Sequence, residues 1–223
     1  MNSALAAGPG TPGKEGVPLT LDHVLLGCDD LERGIGFVEQ HLGVRAVFGG
    51  VHPGRGTQNA LLSLGDRRYL EIIAPDPNQG GVVWHNEILH MTEPRLAGWA
   101  AHVSDMDGLG SRLRNAGIPF QGPQPGSRKR PDGSVLIWKT LTLADDHGGL
   151  LPFFIQWGED SPHPSADAPT GCSLVRFMAA APDPDELGRL TALLGIDLLV
   201  TEGEKRQLIA TFSGRRGECP VTN

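Results

Sequence analysis

The sequence predicts an α+β fold in which one β-α-β-β-β module is repeated. Three segments of the chain begin as a short apolar strand, reach an Asp that can cap a helix, run as an amphipathic helix, and resume as a strand. The capping residues are Asp30, Asp105 and Asp183, which stand 75 and 78 residues apart. Because this interval is too long for the unit of a solenoid, it indicates duplication of a supersecondary module.

Each predicted helix ends at a glycine and carries apolar residues on one face. The glycines follow the caps after 12 or 13 residues, at Gly43, Gly117 and Gly195. In the first helix Ile35, Val38 and Leu42 recur at helical spacing, and the other two helices repeat the pattern. Each helix is therefore expected to cover one face of a sheet.

Further strands follow each helix and set the predicted domain limits. They lie at 58–64 and 68–74 in the first module, 135–143 and 150–157 in the second, and 207–213 in the third. Two modules are thus complete and span residues 19–160, whereas the third, at 170–214, lacks its last strand and is an incomplete β-α-β-β unit. Residues 1–18 are rich in Gly, Pro and Ala without apolar periodicity, which predicts a flexible tail. Pairing the two complete modules gives a curved mixed sheet whose concave side can hold a small ligand.

Composition excludes several classes of partner. A net charge of −7 and a pI of about 5.6 argue against nucleic-acid binding, which depends on clustered Lys and Arg. The basic run Arg128-Lys129-Arg130 is interpreted as a solvated loop tip, with a cation that gates an anionic substrate as the alternative. No apolar run approaches the roughly 18 residues that span a bilayer, so no membrane contact is expected. Three widely spaced cysteines favour reduced thiols and a cytoplasmic location.

Four stretches of the sequence carry a family resemblance. They are "LDHVLLGCDDLERG", "HPGRGTQNALLSLGDRRYLEIIAP", "GSRKRPDGSVLIWKT" and "LPFFIQWGED". Together with the repeated module, they resemble the glyoxalase-like subgroup of the vicinal oxygen chelate superfamily, which includes glyoxalases, bleomycin-resistance proteins and extradiol dioxygenases. The resemblance covers roughly residues 20–213 and implies the fold more specifically than the reaction.

The resemblance also implies a ligand set. In metal-dependent members the first strand of each module offers a His and the fourth strand offers a carboxylate, and His23 and Glu71 match these positions in the first module. In the second module Gly98 stands where the His is expected, and Gln156 is the nearest match to Glu71.

Two interpretations of these residues remain open. A carboxylate inside an apolar strand is unfavourable unless it is paired or bound to metal, so Glu71 needs a partner. In the first interpretation His23, Glu71 and Gln156 bind a divalent metal (Zn, Ni, Mn or Fe) that polarises a carbonyl. In the second, His23 and Glu71 form a hydrogen-bonded pair in a cavity without metal. His23 and Glu71 are the expected catalytic residues.

The predicted function is the binding of a small oxygen-rich or carbonyl metabolite, with lyase or isomerase activity as the superfamily implies. The alternative is a protein that sequesters a small molecule without turnover. Four residues are candidate substrate contacts. Strand alternation places Thr57 and Asn59 on one face, where they can meet a ligand, and the family resemblance implies that the strands of Trp138 and Gln156 border the cavity. The alternative for Thr57 and Asn59 is a structural role at the start of a strand, and the alternative for Trp138 and Gln156 is packing in the core. The strand at 207–213 would leave an open sheet edge, which predicts a homodimer.

Overall fold

The computed structural model describes residues 16–80, 86–130 and 133–223. Residues 1–15 of the predicted flexible tail therefore lie outside the described residues. Among the helices of the described ranges, none has the length and apolar character needed to cross a membrane.

The elements follow the predicted modules in order. The first module contains β1 (Leu21–Gly27), α1 (Leu31–Leu42), β2 (Val47–His52), β3 (Thr57–Gly65) and β4 (Arg68–Pro75). The second contains β5 (Arg95–His102), α2 (Met106–Asn115), β6 (Phe120–Lys129), β7 (Val135–Leu143) and β8 (Phe153–Trp157). The third contains β9 (Ser173–Ala181), α3 (Pro184–Leu194), β10 (Leu199–Glu202), β11 (Gln207–Gly214) and β12 (Gly217–Thr222). Two short 3-10 helices connect the modules, at Asn86–His90 and Pro164–Ala166.

The predicted helix caps are confirmed. The side chains of Asp30, Asp105 and Asp183 accept hydrogen bonds from the backbone N–H three residues later, at 2.8, 2.9 and 2.9 Å. Each satisfies a donor that the first helical turn would otherwise leave unpaired.

The first two modules form one mixed eight-stranded sheet, which confirms the predicted fold class. Its order is β2-β3-β4-β1-β5-β8-β7-β6, so the modules meet where β1 pairs antiparallel with β5. Within each module the first and last strands are parallel, β1 with β4 and β5 with β8. The sheet curls until its edge strands approach: a Cβ placed on Gly50 of β2 would lie 3.0 Å from Cδ of Arg128 on β6.

The third module is complete, which corrects the expectation of a missing last strand. β12 pairs antiparallel with β11 and completes a four-stranded sheet of order β10-β9-β11-β12. β12 contains Pro220, which an edge strand tolerates because it needs no ladder hydrogen bond on its open side. Because β11 is paired on both sides, the open edge on which the predicted homodimer depended is absent.

The core lies between the two sheets. Trp99 of β5 packs edge-to-face against Phe177 of β9, with ring centroids 5.2 Å apart, and both belong to one buried cluster that includes Leu187 of α3. This packing uses the face of the large sheet that also carries α1 and α2. The opposite face is concave. There the strand register aligns His23 with Tyr69, and Leu25 with Glu71.

Candidate functional site

The concave face of the eight-stranded sheet encloses a cavity of about 270 Å³. The first module contributes polar side chains, among them His23, His52, Asn59, Tyr69 and Glu71. The second contributes Arg128 and an aromatic wall of Trp138, Phe153 and Trp157. The volume lies just below the roughly 300–1,000 Å³ of drug-sized sites, so the cavity suits a small metabolite.

Asp22 orients the imidazole of His23. A shift in the β1–β5 register between Leu21 and His23 breaks the alternation of side chains, and the Asp22 carboxylate is buried beside its neighbour. It accepts hydrogen bonds from His23 Nδ1 (2.7 Å), Trp157 Nε1 (3.0 Å) and His163 Nε2 (3.3 Å). Burial alone would raise the pKa of Asp22, but its hydrogen bonds with His163 and His23 outweigh burial and lower it. Because an ionised carboxylate can only accept, His23 Nδ1 donates and Nε2 faces Glu71.

Glu71 is a buried, ionised carboxylate next to this imidazole. Its Oε2 lies 3.5 Å from His23 Nε2, and its Oε1 accepts a hydrogen bond from Asn59 Nδ2 at 2.7 Å. Burial raises the pKa of Glu71, but the neighbouring His52, His23 and Arg128, with the Asn59 hydrogen bond, lower it below its usual value. The acid that interrupts the apolar strand β4 is thus stabilised by polar partners around the cavity.

His52 is a neutral member of the same cluster. Its Nδ1 lies 2.9 Å from Thr57 Oγ1, and its Nε2 lies 3.4 Å from Asn59 Nδ2 and 3.6 Å from Glu71 Oε1. Burial lowers the pKa of His52 to about 4; Glu71 opposes this shift, and the positive charge of Arg128 adds to it. The imidazole is therefore uncharged near pH 7 and offers Nε2 as an acceptor to Asn59.

Arg128 is buried in strand β6, which corrects its interpretation as a solvated loop tip. Only 5% of the residue is exposed, and its Nη1 donates to Oδ1 of Asn59 on β3 at 2.6 Å, across the gap between β6 and the first module. Because a guanidinium can only donate, Asn59 Oδ1 must accept, and the amide nitrogen is then directed at Glu71 and His52. A cation from the second module therefore fixes the polar cluster of the first.

Comparison with known proteins identifies the family. A model of the glyoxalase-like domain family matches residues 21–194, most of the 223-residue chain. The protein belongs to the glyoxalase-like domain family. This places it in the vicinal oxygen chelate superfamily, as the sequence motifs predicted.

Several solved structures are similar to this glyoxalase-like protein, to different degrees. A hypothetical protein from Staphylococcus aureus is 17% identical, with a TM-score of 0.63 over 91% of this chain and 84% of that chain. Methylmalonyl-CoA epimerase from Mycobacterium tuberculosis is 24% identical, with a TM-score of 0.44 over 66% of this chain and 92% of the epimerase. The Streptomyces coelicolor epimerase in complex with 2-nitronate-propionyl-CoA is 19% identical, with a TM-score of 0.45 over 64% of this chain and 97% of that chain. No curated protein matches the sequence.

The structure brings four of the six predicted site residues of the glyoxalase-like protein together. His23, Asn59, Glu71 and Trp138 line the cavity. Thr57 is fully buried behind His52, where its hydroxyl lies against the imidazole.

Gln156 lies on the other face of the sheet, which corrects its assignment as a metal ligand and a substrate contact. Its Oε1 accepts from the backbone N–H of Met106 at 3.3 Å, and its Nε2 donates to the carbonyl of Ser104 at 2.9 Å. The neighbouring residues Ile155 and Trp157 line the cavity instead. Successive strand residues face opposite sides, so an offset of one position in the match to Glu71 moves the side chain to the wrong face.

The side chains of the glyoxalase-like protein do not fit the metal site that the superfamily implies. Of the four expected ligand positions, only His23 and Glu71 are filled, because Gly98 has no side chain and Gln156 is turned away. Within the described ranges, no group of three or more His, Cys, Asp and Glu residues is arranged to hold a metal ion. The Arg128 guanidinium also places positive charge beside the cluster. The described residues therefore do not form a metal site of the superfamily type.

Sequence reasoning missed three members of the site. Asp22 would face the core by strand alternation, and only the register shift brings it to His23. His163 lies in the connection between the second and third modules, where no sequence pattern marks it, yet it is 5% exposed and its Nε2 lies 3.3 Å from Asp22. His52 precedes the Gly-rich turn of "HPGRGTQN", a segment in which sequence reasoning selected only Thr57 and Asn59.

Proposed function

We propose that the cavity binds a small carbonyl metabolite and transfers a proton at the carbon next to the carbonyl, as an isomerase or lyase requires. The observation that carries this proposal is the line Asp22–His23–Glu71, in which an imidazole lies between two buried carboxylates and faces the cavity.

His23 is the proposed general base. Its Nε2 takes the proton from the carbon, the C–H bonding pair moves to the carbonyl oxygen, and an enolate forms. Asp22 keeps the ring in the tautomer that presents Nε2 and stabilises the imidazolium that results. Glu71, 3.5 Å away, stabilises the same positive charge, and the imidazolium then returns the proton to a carbon of the enolate. The Arg55 guanidinium, which also lines the cavity, provides positive charge for the enolate oxygen.

Solvent exchange tests the proposed step with simple 2-oxo acids as model substrates. In deuterated buffer the wild-type protein is expected to exchange the carbon-bound protons of 2-oxobutyrate or phenylpyruvate, followed by ¹H NMR against a protein-free control. We expect His23→Gln to slow this exchange about 10²- to 10⁴-fold, the usual contribution of a general acid or base. Glu71→Gln, which removes the charge that stabilises the imidazolium, should slow the exchange as well. The matched control is His102→Gln, an exposed histidine on β5 of the second module, which should exchange like wild type. Equal exchange in wild type and His23→Gln would refute the assignment.

Sequestration without turnover is the second candidate function. It is supported by the second module, where Gly98 stands in place of the expected His and Gln156 is turned away from the cavity, so that half of the ligand set of the catalytic relatives is missing. A wild-type protein that binds these acids and exchanges no carbon-bound proton would favour it.

We infer that both candidate functions operate without a resident metal, since only two of the superfamily ligand positions are filled. Elemental analysis of protein purified without chelator tests this inference. Near-stoichiometric Zn, Ni, Mn or Fe that is lost in folded His23→Gln and Glu71→Gln would overturn it and support the metal-dependent interpretation.

A cytoplasmic location and a homodimer remain expectations. Within the described residues Cys28, Cys172 and Cys219 are free thiols, which supports a reducing compartment. Exposed apolar residues on the edge strand β2, Val47 and Phe48, offer a surface for a second copy. Sedimentation velocity at micromolar concentration tests the homodimer, and a single monomer species would exclude it under those conditions.

A further inference from the structure

We infer that the substrate is an organic anion with a planar apolar body, such as an aryl-substituted 2-oxo acid, whose carboxylate binds Arg128. This inference rests on the proposed function, because it names the substrate class of the same cavity.

The charges that line the cavity favour an anion, although the protein as a whole carries −7. Leaving the histidines aside, the lining contains two guanidinium groups, Arg55 and Arg128, and one carboxylate, Glu71. That carboxylate already accepts from Asn59. Asp22 lies behind His23 and is satisfied by three donors. Counted with Asp22, the fixed charges around the cavity balance, but both carboxylates already accept hydrogen bonds from the protein. A ligand carboxylate would therefore find its charge partner in a guanidinium group of the lining.

Arg128 has hydrogen-bonding capacity that the described residues do not use. Its Nη1 binds Asn59, whereas its buried Nε has no hydrogen-bond partner among the described residues. An unsatisfied buried donor is unfavourable, more so in a charged group. A guanidinium offers its donors as a planar fork that matches the two oxygens of a carboxylate. Arg128 lines the cavity, so a ligand carboxylate that reaches its guanidinium would supply an acceptor that the described residues do not.

The remaining wall of the cavity is aromatic. Trp138 and Trp157 lie with ring centroids 5.7 Å apart, and Phe153 and Tyr69 continue this lining. Trp138 packs directly over Gly126, where a Cβ would collide with the indole ring. Flat ring faces favour a flat apolar ligand. The cavity thus has a cationic region for a carboxylate and an aromatic region for the group that bears it.

Matched ligands on the wild-type protein test both halves of this inference. Isothermal titration at neutral pH compares phenylacetate with phenylacetamide, which has a similar shape without the charge, and with acetate, which lacks the ring. We expect the amide and acetate each to bind about tenfold more weakly than phenylacetate, because each loses one set of contacts worth about 1.4 kcal/mol or more. Equal affinity for the acid and the amide, or no binding of phenylacetate, would overturn the inference.

Arg128→Gln assigns the anion contact to this residue. Its control is Lys129→Gln, which removes the same charge from the adjacent exposed position on β6. Phenylacetate should bind Arg128→Gln about tenfold more weakly and Lys129→Gln within about twofold of wild type. Unchanged affinity in a folded Arg128→Gln protein would overturn the assignment. If that variant does not fold, the acid and amide pair on wild type still decides the question of charge.

The outcomes separate this inference from the proposed function. Binding of phenylacetate by His23→Gln with wild-type affinity, in a protein that exchanges no proton, supports the substrate class independently of catalysis. Proton exchange of a neutral ketone as fast as that of phenylpyruvate would support the catalytic proposal and overturn the anion inference.

Discussion

The first and second modules share one β-α-β-β-β plan but contribute different chemistry to the cavity. The first provides the polar groups His23, His52 and Glu71, whereas the second has Gly98 at the position of the first histidine and provides a cation and an aromatic wall. After a duplication, each copy needs to keep only part of a binding site. This difference shows that the ligand positions of one module do not predict those of the other.

Asp22 links the two modules. It lies on β1 yet accepts from Trp157 at the end of β8 and from His163 just after it. The two halves of the site are therefore joined by a buried carboxylate as well as by the β1–β5 pairing.

The largest expected effect on stability comes from breaking this link. Asp22→Asn removes the charge that His23, His163 and Trp157 face, and loss of one partner of a buried ionic network costs about 3–5 kcal/mol of unfolding free energy. Urea unfolding at neutral pH measures it. Asp107→Asn, an exposed acid in the first turn of α2, is the matched change in the second module and should alter the free energy by under about 0.5 kcal/mol. A similar small change for both variants would show that the modules are not joined through Asp22.

A second expected effect concerns the pH dependence of stability. Burial lowers the pKa of His52 to about 4 from an ordinary value of 6.5. As the pH falls below 6.5, His52 becomes protonated in the unfolded chain but stays neutral in the folded protein. The unfolding free energy therefore decreases. Between pH 7 and pH 5 this loss should amount to about 2 kcal/mol.

The carboxylates do not obscure this window. Burial raises the pKa of Glu71 and Asp22, but their histidine partners outweigh burial and lower the pKa of each group in the folded protein. Each carboxylate therefore stabilises the fold until the pH falls below the ordinary pKa of the group, which is 4.5 for Glu71 and 3.8 for Asp22. Urea unfolding of His52→Gln at pH 7 and pH 5 should show a loss smaller by that amount, while His102→Gln on β5 should behave like wild type. An unchanged pH dependence in His52→Gln would contradict the prediction.

Helix packing provides a smaller contrast between the modules. In α1 a Cβ on Gly34 would lie 2.5 Å from Cγ2 of Ile72, so Gly34→Ala should lower the unfolding free energy by about 1–3 kcal/mol. In α2 the nearest atom to a Cβ on Gly110 is Nη2 of Arg114, at 3.3 Å, on a flexible side chain. Gly110→Ala should therefore be neutral or stabilise by up to about 1 kcal/mol through helix propensity. Thermal unfolding of both variants checks the contrast, and equal melting temperatures would show that the two helices pack alike.

The three modules could be predicted from sequence periodicity because each helix and strand has a local signal. The Asp caps and the apolar spacing of the helices depend on neighbouring residues only. The site depends on longer-range geometry. A register shift places Asp22, the curl of the sheet brings Arg128 to Asn59, and β12 forms although Pro220 opposes a strand assignment. Glu71 was found because an acid in an apolar strand is unfavourable without a partner, a signal that needs no tertiary information. His23 was found because the family resemblance implies a His in the first strand.

Gln156 gives the smallest expected effect and the sharpest test of the contrast between the modules. If it acts as the second-module counterpart of Glu71, Gln156→Leu should impair proton exchange or metal content at unchanged stability. Its side chain instead binds the N–H of Met106, the first residue of α2, and the carbonyl of Ser104 before that helix. These bonds indicate that Gln156 stabilises the N-terminus of α2. We therefore expect Gln156→Leu to lower the unfolding free energy by about 1 kcal/mol, the usual cost of a lost cap, with ligand binding and exchange unchanged. Gln156→Glu keeps the acceptor for the Met106 N–H and loses the donor to the Ser104 carbonyl. Its unfolding free energy should therefore lie between those of the wild-type protein and Gln156→Leu. A catalytic defect in a fully stable Gln156→Leu protein would return this residue to the site and make the two modules chemically alike.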